Sequence, residues 1–404
     1  MGGQYAADLM GSAETAPVVV VGSGAAGMMA ACVASQHRPT VLVTDRGLGT
    51  SNSAVAQGGL QLPSDDPQSL ESFRRDIERS GGDQVDRARL DVFVREVRPT
   101  IELLQSWGLV LDRAEDGSLV RHRGGGMSEP RIVTAGGRIG AALMKVLRSR
   151  LAASGVRTLL HHRVVDVRPR DEGFLIEFDD STALRAGSVV LAVGGGAHER
   201  AHDTHEPTSN PANRNTGLYP VLRRLGVAET DVDLYQYQPY GIVHRTLGVT
   251  GKCVPESVVE LGAAVVDAHG ERVAEAGADR RQLTAAMFRA LDSGRGEKTP
   301  AGVDACRLTL GSVDRDELAE RYHGLARSLD GALLPTGDVN VVPVLHYQLG
   351  GFRVRPDGST TVPGLFLAGE MTGGLHGRNR LMGNGITEAV VSGRLAGTSA
   401  AHFG

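Results

Sequence analysis

Three glycines and a carboxylate carry the clearest chemistry in the sequence. Gly22, Gly24 and Gly27 stand in the pattern G-x-G-x-x-G, and Asp45 follows 18 residues after Gly27. Each position has a physical task in holding a dinucleotide. Gly22 permits a tight turn, Gly24 lets backbone approach a pyrophosphate, and Gly27 lets a helix pack closely on a strand. Ala25 and Ala26 open that helix, whose first N–H groups and positive dipole end face the phosphates. Asp45 ends the next strand, where a carboxylate accepts hydrogen bonds from an adenosine ribose, and Arg46 follows it. These residues can do this work only if the chain around them folds as a βαβ unit. The flanking pattern predicts one: a run of valines, an Ala- and Met-rich helix, and a second apolar strand over Thr40–Thr44. The alternative is a glycine-rich βα turn in some other doubly wound domain.

The bulk numbers agree with a large cofactor-binding protein. At 404 residues the chain has room for two domains, or for one large domain with an insertion. Its 54 glycines exceed the usual share of about 7% and imply many close backbone approaches. A net charge of −4 with mixed signs argues against electrostatic binding of nucleic acid or membrane. Cys32, Cys253 and Cys306 are far apart, suit a reducing cytoplasm and give no metal-site signal. Residues 1–16 read as a flexible tail without the features of a signal peptide. Residues 17–34 are apolar enough for a membrane span, but their glycines sit where a βα turn needs them, so the chain reads as soluble and cytoplasmic. His198, His202 and His205 fall in a polar stretch with Pro207 and Pro211 that reads as a long loop, not as a metal site.

After Asp45 comes a small-residue loop, residues 46–62, carrying Ser51, Asn52, Ser53, Gln57, Gly58 and Gly59. Its SNS-x-x-AQGG form resembles the flavoproteins of the succinate dehydrogenase, fumarate reductase and L-aspartate oxidase superfamily, and is most similar to L-aspartate oxidase. Near the other end, GGLHGRNR followed by Gly383 and Asn384 resembles the same family closely, and the likeness runs from about residue 18 to residue 397. It implies an α/β fold: a Rossmann-type FAD-binding domain of the glutathione reductase kind, with an inserted α+β capping domain. The expected organisation is a tail at 1–16, the first part of the FAD domain at 17–230, the cap at 231–342 and the second part at 343–404. No C-terminal helical domain of the kind usual in the family is expected. Between the motifs the pattern predicts helices over 68–107, 141–153, 278–293 and 314–329, and strands and hairpins over 156–190 and 262–273.

The resemblance also implies a site. FAD would lie along the 51–59 loop, with Val165 at the adenine, Gly194 at the diphosphate, and Glu370, Asn384, Gly385 and Ile386 closing the cradle. Membrane-bound members attach FAD to a histidine where this chain has Asn52, so attachment there is impossible and non-covalent FAD is expected. Residues 122–140 are similar to the segment that closes over the substrate pocket, with Met127 where the family usually has histidine. Arg380 matches the arginine that binds a substrate carboxylate, a task its planar bidentate fork suits. His346 and His376 match pocket histidines, and Arg281 matches the cap arginine of proton transfer, with a register slip of one giving the adjacent Arg280 as the alternative. An arginine hardly ever deprotonates, so that role needs a relay.

Two departures stand out against the family pattern. Gln238 replaces the histidine of its F-H-P-T motif, and Pro255–Glu256 replaces a Thr–Glu pair. The half of the pocket that holds the distal carboxylate is therefore rebuilt. The expected activity is hydride transfer to flavin N5 from an aspartate-like amino acid, with O2 or another small molecule as electron acceptor. The alternatives are a fumarate-reductase-like enzyme acting on a carbon–carbon bond of an acid, and a flavin-binding protein without catalysis.

Overall fold

The computed structural model describes residues 16–404 apart from 212–214, 312, 315 and 319–324. The expected tail at 1–16 therefore lies almost wholly outside the described residues. The βαβ unit forms as the glycine pattern requires: strand Val18–Val21, helix Ala25–Ala34, strand Thr40–Thr44. Every residue of this strand–helix–strand set is buried, which is why it carries no polar face. Around it stands a five-stranded parallel sheet in the order Leu365–Leu367, Ser188–Leu191, Val18–Val21, Thr40–Thr44, Arg157–Leu160. The C-terminal helix Asn384–Ala401 crosses helix Ala25–Ala34 at backbone distance. A Cβ on Gly393 would lie 2.3 Å from the Ala26 carbonyl oxygen, and one on Gly397 would lie 2.4 Å from that of Ala30.

Helices Pro67–Gly81, Arg87–Ser106 and Ile139–Ala152 cover one face of the sheet, with Phe73, Leu90, Phe93, Val97, Ile101 and Leu104 buried among them. A three-stranded antiparallel meander, Val164–Pro169, Phe174–Phe178 and Ala183–Ala186, covers the other. The predicted 262–273 hairpin shrinks to strand Val265–Val266 with a bridge from Val266 to Arg272. Residues 197–204 are a helix, not a loop; Pro207 and Pro211 break the chain only after it. The predicted 314–329 helix falls partly outside the described residues, and its last turn is helix Leu325–Leu329.

The cap builds on a second sheet, ordered Gly248–Cys253, Tyr235–His244, Val339–Gln348, Asp304–Leu308, Val265–Val266. The long strand Val339–Gln348 runs unbroken past residue 342, so one strand links the cap to the FAD-binding part of the chain. Its pairing with Tyr235–His244 slips twice. Gln236 faces Tyr347 but Tyr237 faces Leu345, which leaves His346 as the extra residue of a bulge. A bulge of this kind re-aims one side chain out of the ladder. The second slip falls at Pro239 and Tyr240 of the partner strand, where a proline's missing N–H is tolerated. No helix among the described residues is long and apolar enough to cross a membrane.

Candidate active site

One cavity of about 780 Å3 runs from the glycine turn to the cap. Its first half is lined by Gly22, Gly24, Ala25, Ala26, Asp45, Arg46, Gly194 and Glu370, and by the loop residues Ser51, Asn52, Ser53, Gln57, Gly58 and Gly59. The glycines are dictated by contact. Gly22 has φ +111, and a Cβ there would lie 2.3 Å from the Ala192 carbonyl oxygen. Gly27 lies behind the wall; a Cβ there would meet the Gly22 oxygen at 1.8 Å, so it packs helix on strand. Gly385 and Ile386 place the N-terminus of helix Asn384–Ala401 on the same wall, a second positive dipole end. Ser51 Oγ is buried there without a partner. A glycine-lined trough with two helix N-termini, a carboxylate at a strand end and an orphan hydroxyl fits FAD.

Asn52 Nδ2 donates to Asn210 Oδ1 at 2.5 Å, and Asn210 Nδ2 donates to the His346 carbonyl at 3.0 Å, so this loop is tied to the histidine strand. Glu370 Oε1 accepts from the Gln348 N–H at 3.0 Å, and burial pushes the Glu370 carboxyl up to about 7.

The second half of the cavity brings together Gln238, Glu256, Arg280, His346, Tyr347 and Arg380. His346, aimed by its bulge, shares a 2.7 Å hydrogen bond between Nδ1 and Ser209 Oγ. Burial, then the charges of Arg280 and Arg380, holds its imidazole neutral, with a pKa well below the ordinary value. Arg380 is 6% exposed, lies over the Tyr347 ring with 4.3 Å from guanidinium carbon to centroid, and has no partner for Nε among the described residues. Burial and the nearby Arg280 pull it down to about 10. Gln238 is 7% exposed, and its Oε1 is buried without a partner.

Besides Gly27, four expected site residues stand elsewhere. Arg281 is exposed, and the arginine in the cavity is its neighbour Arg280. The cap of helix Arg280–Asp292 sets this register: Asp279 accepts from the Gln282 N–H and Gln282 reaches back to the Asp279 N–H, so Arg280 heads the stripe Arg280, Thr284, Met287 that faces inward. His376 is buried but not on the cavity wall; its Nε2 pairs with Glu388 Oε2 at 2.8 Å. Gly377 forces that turn inward, packed so tightly that a Cβ on it would lie 2.2 Å from the Gly81 oxygen. Val165 turns its side chain to solvent, 42% exposed, and does not line the cavity. Asn384 is wholly buried behind the wall with both amide atoms unpaired. Met127 packs in the core, and none of residues 122–140 lines the cavity.

Several residues that organise the site carry no expectation from the sequence. Gln236 donates from Nε2 to the Arg380 carbonyl and Asn379 Oδ1, both at 2.9 Å, while its Oε1 accepts from Arg280 Nη1 at 2.8 Å. It therefore joins the two arginines. A signal for it exists, because residues two apart on a strand share a face and Gln238 stands two positions on. Glu256, by contrast, is an expected substrate contact, and its Oε2 accepts from Arg280 Nε at 3.0 Å and from Nη2. Ser209 and Glu388 reach their partners only through the fold, and no local pattern announces them.

A family model described as FAD binding domain matches residues 17–386. One chain of the fumarate reductase (CoM/CoB) of Methanothermobacter marburgensis is 28% identical over 406 residues, covering 95% of this chain and 72% of that protein. L-aspartate oxidase of Streptomyces coelicolor is 30% identical, covering 94% of this chain and 67% of its own length. The 8-methylmenaquinol:fumarate reductase flavoprotein of Wolinella succinogenes is 28% identical, and the chain spans 65% of it. Among solved structures, E. coli quinol fumarate reductase superposes with a TM-score of 0.86 at 25% identity, over 96% of this chain and 70% of that one. The glycine cradle, the aimed histidine and the paired arginines thus sit in a chain that belongs to the FAD-binding oxidoreductases of the succinate dehydrogenase and fumarate reductase flavoprotein superfamily, which includes the L-aspartate oxidases.

Proposed function

We propose that this flavoprotein oxidises an aspartate-like amino acid at the carbon beside a carboxylate, giving an imine, with FAD held non-covalently and O2 or another small molecule as the final electron acceptor. The observation that supports this reading is the meeting of Arg380, His346 and the Arg280–Glu256 pair in the cavity that also holds the glycine cradle. Gly22, Gly24, Ser51, Gln57, Gly385 and Ile386 would hold FAD, which when bound accepts a hydride.

Arg380 has an unpartnered Nε and a ring beneath its plane, so it presents its edge to one carboxylate and fixes the reacting carbon. His346, neutral with Nδ1 engaged by Ser209, has Nε2 left for a second contact to the same acid. The accompanying proton leaves through the Arg280–Glu256 pair. Arginine alone is a poor base, but each N–H that Arg280 turns to Glu256 Oε2 lies one hydrogen bond from a carboxylate.

The same groups run in reverse would deliver a proton to an acid's carbon–carbon double bond, with the hydride supplied by reduced FAD when bound, and fumarate reductases stand beside L-aspartate oxidases among the relatives. Peroxide release from FAD-loaded protein on a panel of amino acids, beside dye-coupled reduction of fumarate, separates the two directions. Oxidation of an amino acid supports the reading. Fumarate reduction alone replaces it with the second, and inactivity in both assays removes both.

A further inference from the structure

We infer that the far end of the substrate is an uncharged carboxamide, so that the site takes the half-amide of a dicarboxylic acid in preference to the diacid. This rests on the acid-oxidising reading above and deepens it by naming the substrate class.

The first argument is a charge count. Two guanidinium groups line the substrate half of the cavity. Arg280 is engaged on three sides, by Glu256 through Nε and Nη2 and by Gln236 through Nη1. Arg380 makes no side-chain hydrogen bond or ion pair among the described residues and only stacks on Tyr347. One cation is thus left for one carboxylate. A second carboxylate drawn into this enclosure would be desolvated without a counter-charge. Lys252 also lines the wall, but it is exposed at the cap strand Gly248–Cys253, where water screens it, and Arg46 stands beside Asp45 at the glycine-turn end.

The second argument is hydrogen-bond type. Gln238 lines the cavity, is 7% exposed and its side chain makes no hydrogen bond among the described residues, with Oε1 wholly buried. A primary amide presents an acceptor and a donor whichever way round it is set. A carboxylate could use only the donor, and would leave the buried oxygen unpaired and facing an anion. A carboxamide satisfies both groups in a two-bond amide pair. Beyond Gln238 and the Ser328 hydroxyl, the surrounding wall offers a carboxylate few donors. Pro255 has neither hydroxyl nor N–H, and Thr250 Oγ1 already donates to the Ile242 carbonyl at 3.2 Å. Cys253 is a weak donor.

The test is calorimetric titration of FAD-loaded protein with succinamate and with succinate. Succinamate is expected to bind about tenfold more tightly or better, as a site with buried polar groups rejects a ligand that leaves them unpaired. Gln238→Met, which keeps the volume and removes both hydrogen-bonding groups, should bring the two within about threefold. Gln238→His should shift the preference toward succinate. Equal or tighter binding of succinate to the unsubstituted protein overturns the inference and leaves the acid-binding reading intact, as does a preference that survives Gln238→Met. A succinate preference that vanishes in Lys252→Met also overturns it, placing the second carboxylate at the rim. Failure of both ligands to bind the loaded protein removes Arg380 as a carboxylate anchor, and the inference falls with it.

Discussion

Tyr347 lies under Arg380 with its ring centroid 4.3 Å from the guanidinium carbon, and its hydroxyl donates to the buried Glu388 at 3.1 Å. Glu388 also pairs with His376 and takes an N–H from Arg89 at 3.3 Å, so the arginine that meets the substrate stands on a buried polar network. A stacked cation is worth about 0.5–2 kcal/mol according to its desolvation. Tyr347→Leu should therefore raise KM for the acid by about 2- to 30-fold. Tyr347→Phe keeps the ring and should leave KM nearly unchanged, while lowering stability by about 1 kcal/mol in a denaturant titration. A KM unaffected by the leucine substitution would show that the stack does not hold Arg380.

FAD should come away freely. By its sequence resemblance Asn52 stands where a covalent member would carry its histidine, and its amide is tied to Asn210. Acid precipitation should release all the flavin into the supernatant as free FAD. Flavin remaining in the pellet would mean attachment through another side chain.

Glu370 predicts a pH effect on the FAD-free protein. Its carboxyl is raised from an ordinary 4.5 to about 7 by burial. Between those values the unfolded chain releases a proton that the folded protein keeps. Stability from this group is therefore fully present below about pH 4.5 and is lost as pH rises through about 7. Glu370→Gln removes the titration, so its Tm profile should lose that decline over the same window. An identical slope in both proteins would mean that Glu370 is ionised throughout.

Much of this is legible in the sequence where a task is local. Gly22 and Gly27 are fixed by contacts within the βαβ unit, and their spacing states those contacts outright. Residues 51–59 likewise reach the cavity as one loop. The readings that fail concern direction. His376 lies in the best-matched motif, yet Gly377 turns it inward to Glu388, a partner that only the helix Asn384–Ala401 brings near. Ser209 meets His346 from 137 positions away. Helix 197–204 reads as loop because its histidines and acids lack an apolar stripe; only Ala197 and Ala201 are buried, two alanines that leave little pattern to see.

The adjacent arginines offer the sharpest separation. Arg280 begins the helix, is 7% exposed and bridges Glu256 to Gln236, whereas Arg281, about 100° further round the same turn, is exposed. Truncating Arg280 would also strand Glu256 without its counter-charge, at a cost of about 3–5 kcal/mol, and confuse a catalytic loss with unfolding. Arg280→Lys avoids this, because it keeps a cation beside Glu256. A single ammonium lacks the fork that engages Glu256 and Gln236 together. Its kcat should fall about 100-fold or more, in line with the loss of a positioned proton-transfer group, at nearly unchanged Tm. Arg281→Ala should keep kcat within about twofold and Tm within about 1 °C, as expected of an exposed side chain. Should Arg281→Ala silence the enzyme while Arg280→Lys leaves it active, the capping box at Asp279 does not set the register of this helix in the working protein.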